Sequence, residues 1–181
     1  MSHDRSPPPA SDDLAAANAL WTFAVGLYGR PGVGEACLNL QDRGQANIPF
    51  LLFVLWLGAQ RGVAISVQEL DDLSGLVDGW HNEIVGGLRI LRRRLKEGPY
   101  PAPTAETDGL RDSIKAAELA AEKLELNTLA GLALTRDWSQ AGPDSANAAE
   151  RNLRLLLDKL RLATQPWADD AAAALLAALR T

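Results

Sequence analysis

Apolar positions recur along this chain three and four residues apart, and alternate with strand period over no more than a few residues at a time. Leu14, Ala17, Leu20, Trp21, Ala24 and Tyr28 make the first helical stripe, between Ser11-Asp12-Asp13 and Gly29. A serine oxygen can cap the first turn, the two carboxylates suit the positive end of the dipole, and glycine suits a helix stop. Pro31 fits the first turn of a second helix that carries Val33, Cys37, Leu38 and Leu40 inward and ends at Gly44. Asn47 then caps a third helix with Pro49 in its first turn. Positions 50–57 read Phe, Leu, Leu, Phe, Val, Leu, Trp, Leu, with no polar stripe, so protein must surround this helix on every side.

Ser66 and Glu69 have the spacing of a capping box and open a long fourth helix. Its apolar stripe is Val67, Leu70, Leu73, Val77, Trp80, Ile84, Leu88, Leu91 and Leu95, with glycines at 75, 79, 86 and 87 that bend it or admit a close neighbour. Gly98 and the prolines at 99, 101 and 103 break the pattern. A fifth helix is expected over 107–138, on a stripe of Leu110, Ile114, Ala117, Ala121, Leu124 and Thr128. After a loop at 139–147 come a sixth helix with Leu153, Leu156, Leu157 and Leu160, and a seventh from Pro166 that docks through Leu175, Leu176 and Leu179. The expected architecture is an all-α bundle of six to seven helices around one fully apolar central helix. It occupies residues 11–181 as a single domain, behind a disordered proline-rich tail at 1–10.

The totals narrow the function classes. A net charge of −5 argues against a dedicated nucleic-acid binder, and the deficit comes from residues 101–150. Cys37 is the single cysteine, so no intramolecular disulfide is possible. The longest apolar run, 48–59, falls well short of the roughly 20 residues a membrane span needs. Residues 2–9 are polar and proline-rich, unlike a secretory signal. A cytoplasmic protein without a membrane span is expected.

Phosphate-loop, serine-elbow and zinc patterns are all missing, so no catalytic residue, metal or cofactor is assigned. Three polar groups remain as ligand or partner candidates. Gln41, Asp42 and Asn47, with Asn39, lie between two apolar helices; they could hold a ligand or simply serve the turn's backbone. Trp80 and His81 follow Asp78 in the long helix, where a carboxylate three residues away can tune an imidazole; the plainer reading is a surface histidine beside a core tryptophan. Arg89, Arg92, Arg93 and Lys96 form one cationic face. It could bind an anion, complement the helix dipole, or pair with Glu118, Glu122 and Glu125 of the acidic fifth helix.

Trp21-Thr22-Phe23, Pro31-Gly32-Val33, Ala36-Cys37-Leu38 and Leu40-Gln41-Asp42, followed by Leu51-Leu52-Phe53 and Trp56, resemble a bacterial protein family of unknown function, the DUF2390 type. Trp80 and the Leu88-Arg89…Arg92-Arg93…Leu95-Lys96 block extend the resemblance over residues 21–97. It implies a bacterial, cytoplasmic, helical protein and brings no activity, cofactor or catalytic residue. The residues thus favour a non-enzymatic helical protein that acts on another protein or on itself. The alternatives are an anion or nucleic-acid binder through the 89–96 face, and a small enzyme using Asp42 and His81.

Overall fold

The computed structural model describes residues 11–138 and 145–180; the expected tail and most of the expected 139–147 loop lie outside them. Every element among the described residues is helical: α1 (Ser11–Tyr28), α2 (Val33–Gly44), α3 (Ile48–Arg61), α4 (Val67–Trp80), a π turn (His81–Val85), α5 (Gly86–Glu97), α6 (Ala105–Thr135), α7 (Ser145–Lys159) and α8 (Pro166–Leu179). α4, the π turn and α5 run on without a break, so these make seven continuous helices. The all-α architecture expected from the periodicity is what the chain adopts.

α3 is the centre. All its residues from Ile48 to Gly58 are buried, against α7 most extensively and then against α6 and α1. Its entry is built locally as the sequence predicts. The Asn47 side chain accepts from the Phe50 N–H at 3.0 Å, and Pro49 sits where no helical N–H partner is needed. Ser66 and Glu69 likewise form both arms of the capping box that starts α4.

Two features tie α7 to α3. Gly58 faces α7 so closely that a Cβ there would lie 2.3 Å from the Ala149 Cα and N. One turn earlier, Asn152 reaches across from α7: its side chain is 0% exposed. Asn152 Nδ2 donates to the carbonyls of Val54 (3.0 Å) and Val63 (2.8 Å), and its Oδ1 accepts from the Ile65 N–H (2.9 Å). The bonds to Val63 and Ile65 satisfy the chain between α3 and α4, where no helical partner exists, and the bond to Val54 adds a second donor to a carbonyl inside α3.

Elsewhere the inward faces differ from the simple stripes. In α1 the buried set is Ala16, Leu20, Ala24 and Leu27, while Leu14 and Tyr28 are exposed. α2 begins at Val33 after Gly32 in a left-handed conformation (φ 79°), so Pro31 precedes the helix, and Leu38 faces outward. α6 begins at Ala105 under a Thr104 cap and ends at Thr135; Leu110, Ala117, Leu124 and Thr128 are exposed. In their place it buries Glu118, met by arginines of α5, and Glu125, met by His81 and Asn47, with Ile114, Ala121, Leu126 and Leu129.

The largest departure is at the π turn. A straight α4–α5 helix would bury Trp80, Ile84 and Leu91, yet all three are exposed, and the inner face runs Leu70, Leu73, Val77, His81, Val85. Steps of four residues drift around an α-helix, and the wider π turn after His81 takes up the drift and keeps Val85 inside. The glycines are not close-approach sites: a Cβ at Gly75, Gly79 or Gly87 would meet nothing within 4 Å. Gly75→Ala should therefore stabilise the protein by about 0.5–1 kcal/mol through helix propensity, read as a rise in urea midpoint. A loss of stability would show that α4 has a neighbour the structure does not contain.

Candidate functional site

Helices α5 and α6 lie side by side, and the residues between them are charged rather than apolar. Arg89 Nε donates to Glu118 at 2.9 Å and its Nη2 to Glu122 at 2.8 Å; Arg92 Nε donates to the other Glu118 oxygen at 2.5 Å. Arg93, more exposed, pairs with Asp42 of α2. Three of the four positions of the expected cationic face thus engage carboxylates of the same chain; Lys96 stands exposed at the end of α5.

These pairs divide the acids. Burial raises the Glu118 carboxyl, but the hydrogen bonds from Arg92 and Arg89 outweigh it and hold the group below its ordinary 4.5. Glu122 receives only the Arg89 bond, so burial wins and pushes it up. Asp42 is lowered, first by the Arg93 hydrogen bond. Glu118→Gln should cost about 2 kcal/mol at neutral pH, because it weakens the pairing of two half-buried guanidiniums. A carboxyl lowered in the fold stabilises above its ordinary 4.5 and loses that contribution as pH falls through the folded value. The gap between wild type and variant should therefore close in acid, and denaturant unfolding at neutral pH and near pH 4 tests this; an equal gap at both pH values contradicts it.

The charged seam forms one end of a cleft of about 930 Å³ between α1, α2, α5 and α6. Its walls are apolar: Trp21, Val25, Leu38, Leu52, Leu119 and Leu126, of which Val25, Leu38 and Leu119 are each about half exposed. Tyr28, Gln41, Asp112 and Lys115 join Arg89, Arg92, Glu118 and Glu122 as its polar groups. Burial raises the Tyr28 hydroxyl, with Cys37 and Glu122 adding to the effect. Cys37 lies at the cleft's base, 1% exposed, and burial pushes its thiol to about 12, the behaviour of a packing residue. Tyr28 had been expected in the core stripe of α1; the helix rotation that exposes it also puts it in the cleft.

On the far side of Arg89 is a smaller pocket of about 270 Å³. Here the structure gathers residues that lie far apart in sequence: Gln41 and Asp42 from α2, His81 and Asn82 from the π turn, and Arg89 and Arg93 from α5. Asn47 does not line it but stands behind. Its Nδ2 donates to Glu125 Oε1 at 2.5 Å, and the other oxygen of Glu125 lies 3.0 Å from His81 Nδ1. The expected order of Trp80 and His81 is reversed: His81 is 7% exposed and Trp80 40%. Trp80 lies across α6 and donates its indole N–H to the Ala121 carbonyl at 3.1 Å. Glu125 belongs to the acids anticipated as partners of the arginines, but its partners are the histidine and Asn47.

A helical bundle with an amphipathic cleft at a charged seam, and no described helix long and apolar enough to cross a membrane, defines a class of fold rather than a chemistry. No group of three or more His, Cys, Asp or Glu side chains that could hold a metal occurs among the described residues. Residues 19–129 match the model of a family described as "Protein of unknown function (DUF2390)", and the chain belongs to that family. The match takes in α2 to α5, most of α1 and the two charged stretches of α6 that form the seam and hold His81. Comparison with curated proteins and with solved structures gave no match.

Proposed function

We propose that the chain is a non-enzymatic, cytoplasmic interaction module, folded as one unit over residues 11–181, that seats an apolar segment of another protein in the large cleft. The observation that carries this reading is the pair of facing walls with Val25 on α1, Leu38 on α2 and Leu119 on α6, large apolar side chains left half exposed. Covering them removes apolar surface from water at about 25 cal/mol per Å². A groove between helices with anchors at one-turn spacing, as at Trp21 and Val25, suits an amphipathic helix of a partner. Binding of an anion through the 89–96 face is less favoured, because Arg89, Arg92 and Arg93 each have a carboxylate to give up first.

The test is crosslinking capture from native lysate with four forms of the chain: wild type, Leu38→Glu, Leu119→Glu and Leu76→Glu. All three positions are exposed, and Leu76 lies on α4 away from the cleft. A stoichiometric partner held by wild type and Leu76→Glu but lost by both cleft variants supports the reading. Equal capture by all four, or no partner and no self-association for any, overturns it.

A further inference from the structure

Beyond the cleft, we propose that the π turn builds a second binding site, for a small neutral hydroxylated molecule of polyol or sugar type, with His81 Nε2 as its central acceptor. The argument begins with Glu125. It is 2% exposed, and both its oxygens are engaged, one by Asn47 and the other by His81 Nδ1. A carboxylate at Nδ1 fixes the ring so that this nitrogen carries the proton, which leaves Nε2 as an acceptor. The ring itself is more than nine-tenths buried. Nε2 has no partner among the described residues, yet no buried side-chain nitrogen or oxygen there is without one. Nε2 therefore keeps access to solvent, and His81 is one of the residues that line the 270 Å³ pocket.

The rest of the pocket defines the ligand. Asp42 uses one oxygen for Arg93 and Gln41, and its other oxygen is a second acceptor. The charges are already matched: Arg93 by Asp42, Arg89 by Glu118 and Glu122. A charged ligand would be desolvated with no unpaired counter-charge to meet it, whereas a hydroxyl can donate to Nε2 or to Asp42 without disturbing either pair. Ala46 and Ile90 supply a small apolar side for the C–H face of such a molecule. The volume, below that of usual drug-sized sites, keeps it small.

The chain has two histidines, His3 and His81, so in the full chain carrying His3→Ala one imidazole remains to be read by nitrogen-15 NMR. The spectrum shows which ring nitrogen carries the proton, expected to be Nδ1 from its contact with Glu125. Glycerol, myo-inositol and glucose are then titrated in turn, with acetate and methylammonium as charged probes. At least one polyol should move the Nε2 signal saturably, and Asp42→Ala, an exposed change, should weaken that binding about ten-fold. A proton on Nε2 in the wild-type ring overturns the proposal without any variant. So does a signal that no polyol moves, or that only a charged probe moves. The cleft variants Leu38→Glu and Leu119→Glu should leave this titration unchanged, so the outcome is independent of the cleft's role.

Discussion

Replacing Gly58 by alanine is expected to lower the melting temperature by about 6–12 °C, from a loss of about 3 kcal/mol in a domain of this size. The added methyl would lie 2.3 Å from two backbone atoms of Ala149, where ordinary contact begins near 3.4 Å. Backbone has no rotamer to yield, so α3 and α7 must separate by roughly an ångström along the most extensive helix interface of the bundle. The loss of stability outweighs the modest gain in helix propensity that alanine brings. Calorimetry reads the result directly. A shift of less than about 2 °C would mean that the α3–α7 contact is looser than the structure has it.

Asn152→Leu should cost about 3–5 kcal/mol, with an unchanged dependence of unfolding free energy on urea. The replacement has nearly the same bulk, so packing is not the main loss. What disappears are three hydrogen bonds to backbone groups of Val54, Val63 and Ile65, in a place with no water to replace them. A cost below about 1 kcal/mol would show that these groups find other partners. The two sites are linked, since only a residue without a side chain at 58 lets α7 come near enough for Asn152 to reach Val54. The double variant should therefore lose less than the two single losses together.

What could be read from the sequence was whatever is settled within one or two helical turns. Asn47 with Pro49, and Ser66 with Glu69, cap their helices as predicted because a cap needs only neighbours in the chain. The run from Phe50 to Leu57 announced its burial because no face of it is polar. The site was partly visible in the same way: the Gln41–Asp42 pair, His81 and the arginines were each distinctive as residue types. Their meeting around one pocket was not visible, since it depends on the π turn. Nothing in the residues at 81–85 marks that extra width, which sets where Val85 and the arginines of α5 fall relative to His81. Glu118 pairs with the arginines as the sequence suggested, whereas Glu125, offered for the same role, takes the imidazole and Asn47 instead. Gly58 and Asn152 are ordinary residues on their own helices. Their importance lies wholly in a partner about ninety residues away in the chain.

That last distance bears on how the family's shared segment behaves when isolated. The match ends at residue 129, whereas the groups that cover Gly58 and bind the Val54 and Val63 carbonyls come from α7. A polypeptide stopped near Leu129 would present one flank of its most apolar helix to water, and the Val63 carbonyl and Ile65 N–H beyond that helix would lose their Asn152 partner. Such a fragment should emerge from the ribosome insoluble or held by a chaperone, and adding α7 back as a separate peptide should rescue it. The stretch by which the family is recognised thus ends before the helix that covers its central α3.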